Sequence, residues 1–129
     1  MILADCLEAY FDQYLPNIKG ASEQTIASYR QCFTLLLKFA AGYYKLPVKE
    51  LQMENLTREL IFAFLYHLEQ DRENSARSRN SRLAAIKSLA KMIRLLYPEH
   101  REIAETILKT IYVLPKKADK IKAGRNSDL

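Results

Sequence analysis

Apolar residues recur at alternating steps of three and four along five stretches of this chain, the spacing that places them on one side of an α-helix. The first stretch, Ile2 to Tyr14, carries Leu3, Leu7, Tyr10, Phe11 and Tyr14. Leu15-Pro16 is expected to stop it, because the residue before a proline is driven out of the α region. Ser22 reads as the N-cap of a second helix, with Glu23 well placed in its first turn. Its inward stripe is Ile26, Tyr29, Phe33, Leu36, Leu37 and Ala40, and Gly42 is expected to end it. A connector from Tyr43 to Asn55 contains Pro47 and should be pinned to the core by Leu46, Val48, Leu51 and Leu56. Thr57 then caps a third helix with Leu60, Ile61, Phe64, Leu65 and Leu68 inward, and Gln70 to Asn74 turns the chain. Asn74 or Ser75 can cap the fourth, whose stripe is Leu83, Ile86, Ala90, Ile93 and Tyr97. Pro98 suits the first turn of a fifth, with Ile103, Ile107, Leu108 and Ile111 inward through Tyr112.

The expected fold is therefore all-α, a four- to five-helix bundle with helices near 2–14, 22–41, 57–70, 75–97 and 99–112. Its core should include Phe33, Leu36, Phe64, Leu65, Leu83, Ile86, Leu89, Ile93 and Ile107. At 129 residues the chain supports one domain. That domain should fill 1–114, leaving 115–129, basic and aperiodic, as an interdomain linker or tail. Cys6 and Cys32 fall inside expected helices without ligand spacing, and His67 and His100 add no zinc site. No cofactor or metal is expected. Asp5 and Glu8 stand where a signal peptide needs cations, and no apolar run reaches membrane-spanning length, so a cytoplasmic protein is expected.

Charge changes this picture through its distribution rather than its sum of +5. Positions 1–15 hold Asp5, Glu8 and Asp12 without a cation, and the acids of 50–73 outnumber Arg58 and Arg72. Between Glu73 and Glu99 there is no acid, yet Arg77, Arg79, Arg82, Lys87, Lys91 and Arg94 all fall there. These cations crowd the first turns of the fourth helix, where the macrodipole is already positive and acids would be stabilising. An anion docked on that end accounts for the arrangement, and a polyanion with many phosphates fits it best. A solvated face would normally mix its signs. The outer face of the second helix presents Gln24, Thr25, Ser28, Gln31 and Lys38, short hydroxyl and amide groups able to bond phosphates or base edges. Lys38, Arg79 and Arg82 join the candidate DNA contacts on these grounds. Glu69, on the acidic side, is expected to be dispensable for binding.

Two runs carry a resemblance to a known family. Ser22-Glu-Gln-Thr-Ile-Ala-Ser-Tyr-Arg30 resembles the S-x-x-T-x-x-x-Y-R opening of the second helix in tyrosine recombinases, the phage-integrase family. Asn74 to Leu89 is similar to the R-x-x-R-L-A-A-I-[RK]-S helix of the same N-terminal module, and Leu65-x-x-Leu68-Glu69 fits the segment before it. The resemblance covers roughly residues 1–115 and is nearest to integrases of insertion sequences and other mobile elements. It implies a SAM-like core-binding domain forming half of a clamp on double-stranded DNA at recombination half-sites. Its second and fourth helices would then lie against the major groove. Carried over residue by residue, Thr25, Ser28 and Gln31 would face DNA from the second helix, and Arg77, Ser78, Asn80, Ser81 and Lys87 from the fourth. The partners implied are a C-terminal catalytic domain and other recombinase protomers on DNA.

The same family requires two arginines, a lysine, a histidine and a nucleophilic tyrosine in that catalytic domain, and no such set is present. Neither His67 nor His100 opens a His-x-x-Arg, and the eight tyrosines lie in expected helices or at their ends. The chain is expected to bind DNA without cleaving it, either cut at the interdomain linker or truncated. The alternatives are a helical protein-interaction module and a stand-alone DNA-binding regulator. An interaction module should expose apolar residues outside the stripes, where only Leu35 and Tyr66 qualify.

Overall fold

The structure, a computed structural model, describes the backbone of residues 1–71 and 76–114. It holds five α-helices: α1 (Leu3–Ala9), α2 (Glu23–Tyr44), α3 (Arg58–Asp71), α4 (Ala76–Leu96) and α5 (Arg101–Val113). Among the described residues there is no strand, only one isolated antiparallel bridge between Ile2 and Gln52. The Asn74 or Ser75 cap and the tail from Pro115 lie outside the described residues.

Each helix buries the middle of the stripe its spacing defines, with Ile26, Tyr29, Leu37, Tyr97, Ile103 and Ile111 half-buried against it. Residues 83, 86, 89, 90 and 93 of α4 are buried, together with Ala85 and Met92. α5 covers α4 with Ala104, Ile107 and Leu108, while α2 contributes Phe33, Leu36 and Ala40. All nine residues expected in the core are there, from Phe33 to Ile107. Tyr10 and Phe11 meet Phe33 edge to face, with ring centroids 5.5 and 6.0 Å apart, and so tie the first helix to α2. The connector is pinned by Leu51 and Leu56 as expected and also by Met53, while Leu46 is half-buried against the core and Val48 stays outside it. Leu51, Met53 and Leu56 are buried, Leu3 N–H donates to Leu51 C=O at 2.8 Å, and Met53 N–H donates to Met1 C=O at 3.0 Å.

Three boundaries differ from the expectation, each for a local reason. The first helix does not stop at Leu15. It widens into a π-helical stretch over Tyr10–Ile18 with Pro16 inside. A proline removes one donor and crowds the carbonyl a turn earlier, and the wider winding accommodates it: Lys19 N–H reaches Tyr14 C=O, five residues back, at 2.8 Å. The extra turn keeps Tyr14 and Leu15 buried. Gly42 does not end α2. The helix runs on to Tyr44, and Lys45 takes the left-handed cap at φ 57° and ψ 46°. What holds that additional turn is the Tyr44 hydroxyl, which donates to Asn55 C=O at 2.7 Å. Finally, Pro98–His100 forms a 3-10 turn, and α5 proper begins at Arg101.

Apolar exposure is broader than expected. Leu35 is half-buried against the core, but Leu95, Leu96, Tyr112 and Val113 join Tyr66 among the exposed residues. Tyr112, read as the end of the fifth stripe, is 75% exposed. It stands one turn past buried Leu108 on the same side of α5, at the last turn of the helix.

Truncating Phe64 or Ile86 to alanine should cost about 2–5 kcal/mol through lost transfer energy and the cavity left behind. Urea denaturation checks this, and midpoints equal to the parent's would mean the faces are misassigned.

Candidate nucleic-acid interface

α4 has no acidic residue from Ala76 to Leu96. Because its inward side is committed to the core, its cations must leave by the remaining arc. They do not leave together. Arg79 is buried, and its Nη1 donates to Glu69 Oε1 of α3. The two side chains are 11% and 26% exposed, and Arg79 Nε is buried without a partner among the described residues. Arg79 therefore joins α3 to α4 rather than standing with the outward cations. Arg94 lies 3.8 Å from Glu105 of α5.

The remaining cations border the seam where α2 crosses α4. At its middle the Ser28 and Ser81 hydroxyl oxygens lie 3.4 Å apart, close approach that only small side chains permit. To one side is a hollow of about 230 Å³ bordered by Ser28, Gln31 and Cys32 of α2 and by Arg77, Ser78, Ser81 and Arg82 of α4. Six of the eleven expected contact residues are thus brought together. Burial pushes the Cys32 thiol at the hollow's edge up to about 12, against the opposing pull of Arg82, so it presents a neutral wall.

On the other side of the serine contact is a hollow of about 330 Å³. Lys19, Thr25, Lys87, Ser88 and Lys91 border it, with Tyr14 and Tyr29 among the walls. Thr25 also belongs to the α2 cap: its N–H donates to Ser22 Oγ at 3.1 Å, and the Ser22 hydroxyl donates to Thr25 Oγ1 at 3.0 Å. Asn80 and Lys87 border a third, more apolar groove of about 490 Å³ between α4 and α5, with Leu83, Leu108, Ile111 and Tyr112. Lys87 Nζ rests 5.4 Å from the Tyr112 ring centroid, a cation–π distance. Lys38 is exposed on α2 but borders none of these hollows.

Lys19 and Lys91 were not among the expected contacts. Lys91 carried a signal, as part of the acid-free run. Lys19 carried none, because its place depends on how the π-helical stretch and Gly20 (φ 61°) bring the chain back beside α4.

No group of three His, Cys, Asp or Glu side chains is placed for a metal among the described residues. The His67 ring packs 5.0 Å from Phe39, and His100 Nδ1 lies 3.7 Å from Glu54 Oε2. Tyr10 and Tyr14 are buried, and burial raises both phenols above their usual range, the direction opposite to an activated nucleophile. Tyr43, Tyr66 and Tyr112 are exposed. No helix among the described residues is long and apolar enough to cross a membrane.

Comparison with known proteins bears on the family of the chain. The family model described as "Phage integrase, N-terminal SAM-like domain" matches residues 8–94, which span α2, α3 and nearly all of α4. The chain is 38% identical over 108 residues to "Putative integrase/recombinase y4rD" of Sinorhizobium fredii, covering 84% of this chain and 38% of that one. It is 42% identical over 106 residues to "Putative integrase/recombinase y4rC" of the same organism, covering 82% and 32%. It therefore spans a third to two fifths of the length of these relatives. No solved structure gives a significant match.

The Glu69–Arg79 pair gives Glu69 a part in the fold, apart from any part in binding. Glu69→Ala would strand a guanidinium that is mostly out of water. The expected loss is about 1–3 kcal/mol, less than the ~3–5 of a fully buried pair, because Glu69 keeps some exposure. Thermal unfolding of Glu69→Ala beside Glu59→Ala, an exposed acid on the same helix, checks this. Equal melting temperatures would mean the pair contributes nothing.

Proposed function

This chain belongs to the phage integrase N-terminal SAM-like domain family, and from that premise we propose that it is the duplex-DNA-binding module of a tyrosine site-specific recombinase. It would hold double-stranded DNA at recombination half-sites for integration or transposition, with other protomers bound beside it. Catalysis would fall to a separate C-terminal domain. The observation that carries the reading is the convergence of Ser28 and Gln31 from α2 with Arg77, Ser78, Ser81 and Arg82 from α4 on one hollow, along a helix that has no acid.

The chemistry follows from those groups. The guanidiniums of Arg77 and Arg82 can donate paired N–H bonds to phosphate oxygens. Serine hydroxyls beside them can bond the same phosphate or a base edge, and Gln31 matches the donor–acceptor pattern of adenine in the major groove. Asn80 has that pattern too, and stands on the α5 side of α4 with Lys87. Arg79 acts through position: held by Glu69, it fixes the first turns of α4, where Arg77 and Ser78 sit. Thr25 orders the start of α2 through the Ser22 cap. Lys38 lies beyond both hollows, where it could meet only a flanking phosphate.

The apolar α4/α5 groove and exposed Tyr112 favour one competing reading, a helical protein-interaction module. Fluorescence anisotropy on a half-site duplex and on a scrambled one separates the two. Binding should be weak, since the opposing half of the clamp is supplied by another domain, and it should fall steeply with salt. Arg77→Ala and Lys87→Ala should each weaken binding and flatten the log–log salt slope by about one. Asn80→Ala should relax sequence preference by about 1–3 kcal/mol if Asn80 reads a base. Binding by both alanine variants equal to the parent at low salt would favour the interaction module. A nicked suicide substrate should trap no tyrosine adduct on this chain, and a trapped adduct would put catalysis here.

A further inference from the structure

We propose that the hollow bordered by Lys19, Thr25, Lys87, Ser88 and Lys91 is a second seat for a DNA backbone phosphate, on the strand opposite the one held at the Arg77–Arg82 hollow. This rests on the DNA-binding reading and adds to it two residues, Lys19 and Lys91, and an assignment of one strand to each hollow.

The first argument is charge. The lysines come from two segments separated in sequence, the turn after the π-helical stretch and the outward arc of α4, and no carboxylate borders the hollow they share. Lys19 and Lys91 are exposed and make no ion pair among the described residues. Like charges converging on one hollow repel, and an anion between them reverses the sign of the interaction. The Thr25 oxygen accepts from the Ser22 hydroxyl, which leaves the Thr25 proton to donate to the same anion.

The second argument is spacing. α4 borders the first hollow with residues 77, 78, 81 and 82 and the second with residues 84, 87, 88 and 91. Corresponding positions are seven to nine residues apart, about 12 Å of rise at 1.5 Å per residue. The major groove of B-DNA is also about 12 Å wide. A duplex laid on the seam can therefore seat one strand at each hollow. The Ser28–Ser81 contact, whose small side chains leave room for base edges, then faces the groove between the strands. Lys87 stands at the wall shared with the α4/α5 groove, its Nζ 5.4 Å from the Tyr112 ring centroid, so Lys19 and Lys91 add to the charge that it brings to the second seat.

The test is the Lys19→Ala/Lys91→Ala variant beside Arg77→Ala. Both lysines are exposed, so the double variant should melt like the parent. On a half-site duplex it should lose affinity several-fold at low salt, with the salt slope flattened by about one to two. Single methylphosphonates, which neutralise one phosphate at a time, then identify the strands. The substitution that no longer weakens Lys19→Ala/Lys91→Ala should lie on the strand opposite the one that no longer weakens Arg77→Ala. If the double variant keeps the parent's affinity and slope while Arg77→Ala does not, the hollow is a solvated lysine cluster and only this proposal falls. If both variants go silent to phosphates on the same strand, the placement across the groove is wrong. If the parent itself does not bind duplex, the DNA-binding reading falls and this seat falls with it.

Discussion

A carboxylate on α3 decides where one arginine of α4 goes, and the basic end of the molecule depends on that decision. α4 must bury Leu83, Ile86, Leu89 and Ile93, which fixes its rotation about its own axis. Arg79 lies on the buried side of that rotation. A lone guanidinium there would lose its hydration without compensation. Glu69 supplies the partner, and in doing so it ties the N-terminal turns of α4 to α3. The pair need not add net stability over an apolar pair of the same shape. It holds the first turns of α4 in the register that the apolar stripe sets, and in that register Arg77, Ser81 and Lys91 emerge on the arc that α2 leaves open.

That register explains why small residues sit where they do. Ser28 and Ser81 meet at the crossing of α2 and α4, with Ala84 and Ser88 following along the same side of α4. Larger side chains there would fill the crossing and separate the two helices. With small ones, the helices approach closely and the long cations stand at the margins. A shallow middle with charged edges supports the proposed double-stranded polyanion over an apolar helix, which wants the reverse. The α4/α5 groove has that reversed character, apolar within and polar at its rim, so the two surfaces of α4 differ in kind.

The helix stripes and the core were legible in the amino-acid sequence because periodic burial is a local property that one helix expresses alone. Where local rules failed, a distant residue had intervened. Leu15-Pro16 carries a stop signal, but burying Tyr14 and Leu15 outweighs it and the helix widens instead. Gly42 is a good terminator, yet Asn55 holds Tyr44 and draws α2 onward. The candidate site divides in the same way. Residues 77–82 were readable as an acid-free run at a helix start. That Arg79 would turn inward was not, since Glu69 precedes it by ten positions with the turn between. Lys19 was the least legible of all. Nothing near it in sequence is basic, and only the path of the π-helical stretch carries it to α4.

The acids complete the argument by setting orientation. Asp5, Glu8 and Asp12 are exposed on the first helix and its π-helical extension. Glu8 and Asp12 border a separate hollow between that helix and α2, where the Arg30 guanidinium stacks 4.5 Å from the Phe11 ring centroid. α2 thus stands between two unlike surfaces, its Ser28–Gln31 side toward the cations of α4 and its Arg30–Thr34 side toward these carboxylates. A phosphate chain approaching from solvent is attracted on one side and repelled on the other. Both forces act at ranges up to the Debye length, about 8 Å at physiological salt. Orientation is therefore selected before any hydrogen bond forms, and raising the salt would erode that selection together with the affinity. On the proposed DNA-binding reading, a module built this way need not recognise much sequence to arrive the right way round, and Gln31 and Asn80, the candidates for reading base edges, would discriminate among sites already correctly faced.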